Sequence, residues 1–174
     1  MNLRFLNQTD MTSSASSFTA TDIFNADYDI YLVNIEGLFT ASSTGDIDLR
    51  LVTTGGSVIT STSYAYGIVD ILPNTSWNSY YDTNNTHFDN MFGLAGVKPY
   101  ISSQSIWVFN PYDSSKYTSV ISSSTATQSA TVYRYRDGGG ILLLENSIGG
   151  INIKTSSPDL GGGTQHPIRV YNIP

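Results

Sequence analysis

From Tyr28 to Ile71 the chain keeps returning to one pattern, an apolar side chain at every second residue. Between Asp46 and Leu51 the pattern is strict: Ile47, Leu49 and Leu51 alternate with Asp48 and Arg50. A period of two is the mark of a strand with one buried face, because successive side chains leave a pleated backbone on opposite sides. Thr53-Thr54-Gly55-Gly56 interrupts the alternation and Val58-Ile59 resume it. This predicts a strand, a glycine-containing turn and a returning strand. Tyr28 to Ile35 is apolar almost throughout, as expected of a strand buried on both faces. Glu36-Gly37 marks a bend before Leu38-Phe39, and Tyr64, Tyr66 and Ile68 alternate again before Pro73.

The remaining chain repeats the theme. Residues 1–21 open with Leu3, Phe5 and Leu6 and then become rich in Ser and Thr. They read as a free arm reaching a neighbouring subunit or as the first strand of the same sheet, ahead of a single sandwich domain over 22–174. Thr19 to Phe24 reads as a short strand. Pro73 to Asn90 lacks any period and reads as a long loop. At its end Thr86 predicts a helix cap, Phe88, Met91 and Phe92 fall at helical spacing, and Gly93 ends the turn, giving one short helix over 86–92. Ser105 to Asn110 and Tyr117 to Ile121 are strands, and Asn110-Pro111 stops the first. Ser122 to Ser129 reads as an exposed loop. Thr131 to Tyr135 is expected to pair with Ile141 to Leu144 across the turn Arg136-Asp137-Gly138-Gly139-Gly140. Ile151 and Ile153, a loop over 156–163, and Ile168 to Ile173 close the chain. Roughly eight to ten short strands with at most one helix predict an all-β, antiparallel two-sheet sandwich, a jelly roll first and an immunoglobulin-like sandwich as the rival.

Composition narrows the function. The 174 residues can bury a core, since 40% are hydrophobic, yet only 13% are charged. Ser and Thr stand where Lys and Glu usually do, so little charge must be desolvated when this surface meets another protein; equally, a β-rich chain favours Thr and Ser for its strands alone. The net charge of −6 and the scattered Lys and Arg argue against a nucleic-acid partner. Cysteine is absent, which excludes disulfides and thiolate metal sites. Residues 1–10 do not read as a signal peptide, and no apolar run approaches the ~20 residues of a membrane span.

Sites for chemistry are sparse. His87 and His166 belong to no His-x-His pair, and a zinc site at either would need a further ligand from distant chain. Asp46 and Asp48 share a strand face; they could hold Ca²⁺ or act as an acid–base pair, but the expectation is a solvated face opposite Ile47 and Leu49. No Gly-x-Ser-x-Gly occurs, and neither Gly138–Gly140 nor Gly161–Gly163 is followed by Gly-Lys-Ser/Thr. No catalytic residue, metal ligand or cofactor is assigned. The candidate interaction residues are Trp77, Tyr80 and Tyr81 among Asn74, Asn78, Asn84 and Asn85, together with Leu3 and Phe5. Flat aromatics beside amides stack on a sugar, anchor a protein interface or staple the loop to its own core.

The C-terminal stretches Gly149-Gly150-Ile151-Asn152-Ile153, Gly162-Gly163-Thr164 and Ile168-Arg169-Val170-Tyr171-Asn172-Ile173 resemble the closing strands of small virion proteins of tailed bacteriophages. The ending of those proteins runs Gly-x-Ile, then Gly-Thr-x-Ile-x-Val-Tyr-Gly-Ile. Residues 1–10, Asp29-Ile30-Tyr31, Asp48-Leu49-Arg50-Leu51 and Asn110-Pro111 before Tyr117 fit the same order. Two departures stand out: Gln165-His166-Pro167 is inserted before the last strand, and Asn172 replaces the usual glycine. The resemblance implies a sandwich or jelly roll on the particle surface, decorating or cementing the capsid or sitting in a tail fibre. It carries over no catalytic residue. The expected partners are the major capsid protein or other virion proteins and further copies of the chain, with a trimer favoured. A host glycan is the alternative partner, in a tail-fibre or adhesin module. The expected location is the virion, after synthesis in the host cytoplasm.

Overall fold

The computed structural model describes residues 3–43, 45–72, 77–97, 99–155, 159–161 and 166–173. The twelve strands among them are β1 (Arg4–Met11), β2 (Ser17–Ala20), β3 (Ile30–Leu38), β4 (Gly45–Thr53), β5 (Tyr64–Ile71), β6 (Trp77–Asn85), β7 (Phe88–Ala95), β8 (Ser102–Phe109), β9 (Thr118–Ser129), β10 (Val132–Leu142), β11 (Ile148–Thr155) and β12 (His166–Asn172). They form an eight-stranded sheet, β1-β12-β3-β8-β9-β10-β5-β6, packed on a four-stranded sheet, β2-β11-β4-β7, with every ladder antiparallel. The fold is an all-β sandwich. No helix of the described residues is long and apolar enough to cross a membrane.

The pairing is nested. β1 lies beside β12, β2 beside β11, β3 beside β8 and β4 beside β7. Rolling one long hairpin so that successive pairs fall alternately into two sheets produces this order, and it is consistent with a jelly roll. The hairpins β5–β6 and β9–β10 are added to it and extend the larger sheet on one side only. Residues 4–11, read as arm or first strand, pair with β12 as an edge of the larger sheet.

Alternation sets the core. Tyr31, Val33 and Ile35 of β3 and Ile168 and Val170 of β12 are buried with Ile47, Leu49 and Leu51 of β4 and Ile151 and Ile153 of β11. Two buried tyrosines tie connections to this core. Tyr64 accepts the Leu51 N–H at 3.0 Å and donates to the Ile59 carbonyl at 3.1 Å. Tyr31 accepts the Asn25 N–H at 3.0 Å.

Several expectations are corrected. The stretch 86–92 is not helical. Phe88 and Phe92 lie opposite Leu49 and Ile47, so three residues, 89–91, stand where β4 has only Asp48. Asn90 takes a left-handed φ of 56° in this bulge. Such an insertion breaks the two-residue period and spaces buried side chains as a helix would. Within the region read as a loop, 77–85 is the edge strand β6, which shows little alternation because most of it is exposed. Residues 122–129 continue β9, whose alternation is written in hydroxyls rather than apolar groups. The stretch 136–140 is the middle of β10, not a turn; the turn is Ala130-Thr131. Gly140 is needed there for close packing, since a Cβ would stand 2.5 Å from the Phe88 ring. The turn after Thr53 forms as expected, with the Gly56 N–H bonded to the Thr53 carbonyl at 2.9 Å. Its return is a bridge from Val52 to Val58, not a full strand, and the chain then crosses to the other sheet. Pro73, Asn74, residues 156–158, Gly162-Gly163-Thr164-Gln165 and the side chain of His166 lie outside the described residues.

Candidate functional site

The register of the larger sheet lines up its outward side chains in rows. One row runs Phe5, Tyr171, Leu32, Trp107, Ile121, Gly139, Gly67, Tyr81, each residue opposite the next on the neighbouring strand. The next is polar apart from Val69: Gln8, Arg169, Asn34, Ser105, Ser123, Asp137, Val69, Ser79. A third, Ser103, Thr125, Tyr135, Ile71, Trp77, becomes apolar towards β6. The sheet therefore presents one face with two aromatic stripes and a hydroxyl-lined band between them.

The sequence candidates separate on this face. Trp77 and Tyr81 point outward and are 68% and 81% exposed, so neither staples a loop to the core. Phe5 and Leu3 are exposed at the opposite edge, where the Phe5 ring meets Tyr171 edge-on at 5.7 Å. Tyr80 alternates inward, and the Arg136 guanidinium lies over its ring at 5.4 Å. It braces the interior and leaves the candidate face. Ile71, Ile121, Tyr133 and Tyr135 are exposed and join the face. Sequence reasoning passed over them singly because only strand register brings them together.

The band is concave. A depression of about 320 Å³ is lined by Asn34, Glu36, Ser105, Ser123 and Tyr135 among others. It shares Ser103 with two neighbours, one at Gln8 and Arg169 and one at Ile71, Tyr133 and Tyr135. Arg169 is paired with Glu36 at 2.6 Å and bonded to Gln8 at 3.2 Å, so these charges neutralise each other. A separate dimple lined by Ile30, Trp107, Phe109, Ile121 and Ile173 is wholly apolar in its side chains.

A second cluster lies away from this face. Asp48 is buried, not solvated as expected, and Lys154 opposite it on β11 places Nζ 3.1 Å from Oδ2. Asp48 Oδ1 accepts the Asn90 N–H at 3.0 Å, and His87 Nε2 stands 3.5 Å from Oδ2. Burial raises the Asp48 pKa to about 6, against the lowering by the Asn90 N–H and Lys154. Burial, then Lys154, lowers His87 to about 4, so its imidazole is neutral at pH 7. Asp46 meets a different partner, Arg136 at 3.7 Å, and burial raises its pKa as well. The two carboxylates of the Asp-Ile-Asp sequence thus serve separate networks.

No model of a known protein family, no curated protein and no solved structure matches this chain.

Proposed function

We propose that the protein is a structural component of a tailed-phage virion, a decoration or cement protein that docks onto the particle through the outer face of its larger sheet. The observation that carries this reading is the aromatic row ending in Tyr81 together with exposed Trp77, Ile71 and Ile121 on the same face. Burying such side chains contributes about 25 cal/mol per Å² of apolar surface, and the pairing of Arg169 with Glu36 lowers the desolvation cost of the charges beside them. The partner is the major capsid protein or another virion protein, and the chain binds as a homo-oligomer, a trimer first. In a co-sedimentation assay with purified capsids, the unmodified protein pellets with the particle and Tyr81→Glu combined with Ile121→Glu stays in the supernatant. Pelleting of that folded double variant at the parent level would remove the face from the contact.

A second reading is favoured by the hydroxyl-lined depression. Asn34, Glu36, Ser105 and the Tyr135 ring offer the hydrogen bonds and flat apolar surface that a sugar ring uses. In that reading the module belongs to a tail fibre and grips host glycan. Saturable glycan binding abolished by Tyr135→Ala, without capsid binding, would select it over decoration.

A further inference from the structure

We propose that Asp48, His87 and Asp89 form a binding site for one divalent transition-metal ion of the zinc class. The sequence showed His87 without a second ligand; the fold supplies one from distant chain, because β4 carries Asp48 to the turn between β6 and β7. His87 Nε2 stands 3.5 Å from Asp48 Oδ2 and 3.9 Å from Asp89 Oδ1. One donor atom from each of the three side chains fits within a 4.8 Å span. Zinc–nitrogen and zinc–oxygen bonds of about 2.0–2.2 Å put neighbouring donors of a tetrahedral ion about 3.3–3.5 Å apart. Closing on an ion therefore asks for shifts of a few tenths of an ångström at His87 and of up to about one ångström or slightly more between the two carboxylates, of which the more exposed Asp89 is the freer to move.

The groups behind the donors are also placed. His87 Nδ1 is 3.0 Å from Thr86 Oγ1, a contact that holds the ring and leaves Nε2 facing the carboxylates. The Asn90 main-chain N–H orients Asp48, and the Asn90 side-chain amide donates to Asp89 at 3.0 Å. The Asp48 and His87 side chains are 3% and 16% exposed while that of Asp89 is 38% exposed. Two donors thus form a floor and one a rim, with the outer side open for water to complete the coordination shell. An imidazole nitrogen among oxygens selects zinc, cobalt or nickel over calcium and magnesium.

Lys154 is the competitor. Its ammonium neutralises Asp48 in the metal-free site, and its side chain, 18% exposed, must swing outward when an ion takes that role. Binding is therefore weaker than the donor set alone would give, and removing the ammonium strengthens it.

The test is a cobalt(II) titration of the unmodified full chain followed by visible absorption, with zinc displacement and calorimetry for the variants. The expected result is one saturable site per chain whose cobalt spectrum is lost on adding zinc, with calcium ineffective. His87→Ala and Asp89→Asn each weaken binding at least about tenfold, and Lys154→Gln tightens it. Circular dichroism of the variants establishes that they are folded. The absence of saturable cobalt or zinc binding to the parent protein overturns the assignment. Unchanged affinity in folded His87→Ala overturns it too, by placing the ion elsewhere.

Discussion

The space between the sheets is filled in two different ways. Where β12 and β3 face β11 and β4 it holds Ile, Val and Leu, with Tyr31 and the buried amide of Asn172 at one end. Where β9, β10 and β5 face β7, the apolar Phe88, Phe92, Ile68 and Leu142 share it with Arg136, Asp70 and Ser122. A single inward row of the larger sheet crosses from one filling to the other: Ile168, Ile35, Gln104, Ser124, Arg136, Asp70. The smaller sheet ends at β7, and the bulge in β7 turns main-chain carbonyls inward. Arg136 donates to the carbonyls of Phe92 at 2.6 Å and Asn90 at 3.1 Å, and its other amino group is 3.5 Å from Asp70. Arg134 meets the same Asp70 oxygen at 2.7 Å. The bulge is thus held from both sides, by Asp48 on the Asn90 N–H and by Arg136 on the Asn90 carbonyl. The lesson is that irregular backbone inside a sandwich calls for buried charge, whereas a regular ladder accepts aliphatic packing.

The sharpest way to break the comparison is Arg136→Ala, which leaves the Phe92 and Asn90 carbonyls without their donor and Asp70 with Arg134 alone, and is expected to cost about 3–5 kcal/mol in urea unfolding. Arg136→Met with Asp70→Leu should regain only part of that loss, because the two carbonyls stay without a donor and Arg134 loses its partner. A single variant as stable as the parent would refute the role given to Arg136. On the aliphatic side Leu49→Ala should cost about 2–5 kcal/mol through the cavity it leaves, with no rescue by a second charge change.

The acid-range profile separates the partners of the bulge. Asp48, raised to about 6 from 3.8, holds its proton longer when folded, so its contribution to stability falls as pH rises from about 4 to about 6. His87, lowered to about 4 from 6.5, resists protonation when folded, so its contribution rises over about the same range. The two oppose and leave chelator-treated protein nearly level between those limits. Asp48→Asn should then gain stability with rising pH and His87→Asn should lose it, each by roughly 2–3 kcal/mol across the window. Matching slopes in the two variants would refute the assignment. Next in size, Tyr64→Phe leaves the Leu51 N–H and Ile59 carbonyl unpaired, at a cost of about 1–3 kcal/mol measured by the same unfolding. Trp77→Ser should change stability by no more than about 0.5 kcal/mol while weakening whatever docks on the face, since Trp77 packs outside both fillings.

Much of the architecture was legible where alternation was apolar. β3, β4, β5, β8, β11 and β12 follow from Tyr31, Leu49, Tyr64, Ile106, Ile151 and Val170 and their neighbours. Legibility failed where alternation was written in Ser and Thr, as in β9, or was broken by extra residues, as around Asn90. It failed as well at Gly138-Gly139-Gly140, because a glycine admitted for close approach to Phe88 looks in sequence like a glycine admitted for a turn. Of the candidate residues, Trp77, Tyr81, Leu3 and Phe5 lie exposed and Tyr80 turns inward; a stretch read as a loop offered no alternation from which the side of each aromatic could be told.

What the order of residues determined by itself is the all-β character, the two-sided strands and a surface poor in charge, since each depends only on neighbours a few positions apart. The tertiary structure alone decided that Phe5 and Tyr81 close the two ends of one row, that Arg136 lies beneath β7, and that Asp48 reaches His87. Those meetings depend on strand order and register between distant segments, and register is chosen by the packing of the whole sandwich rather than by any one strand.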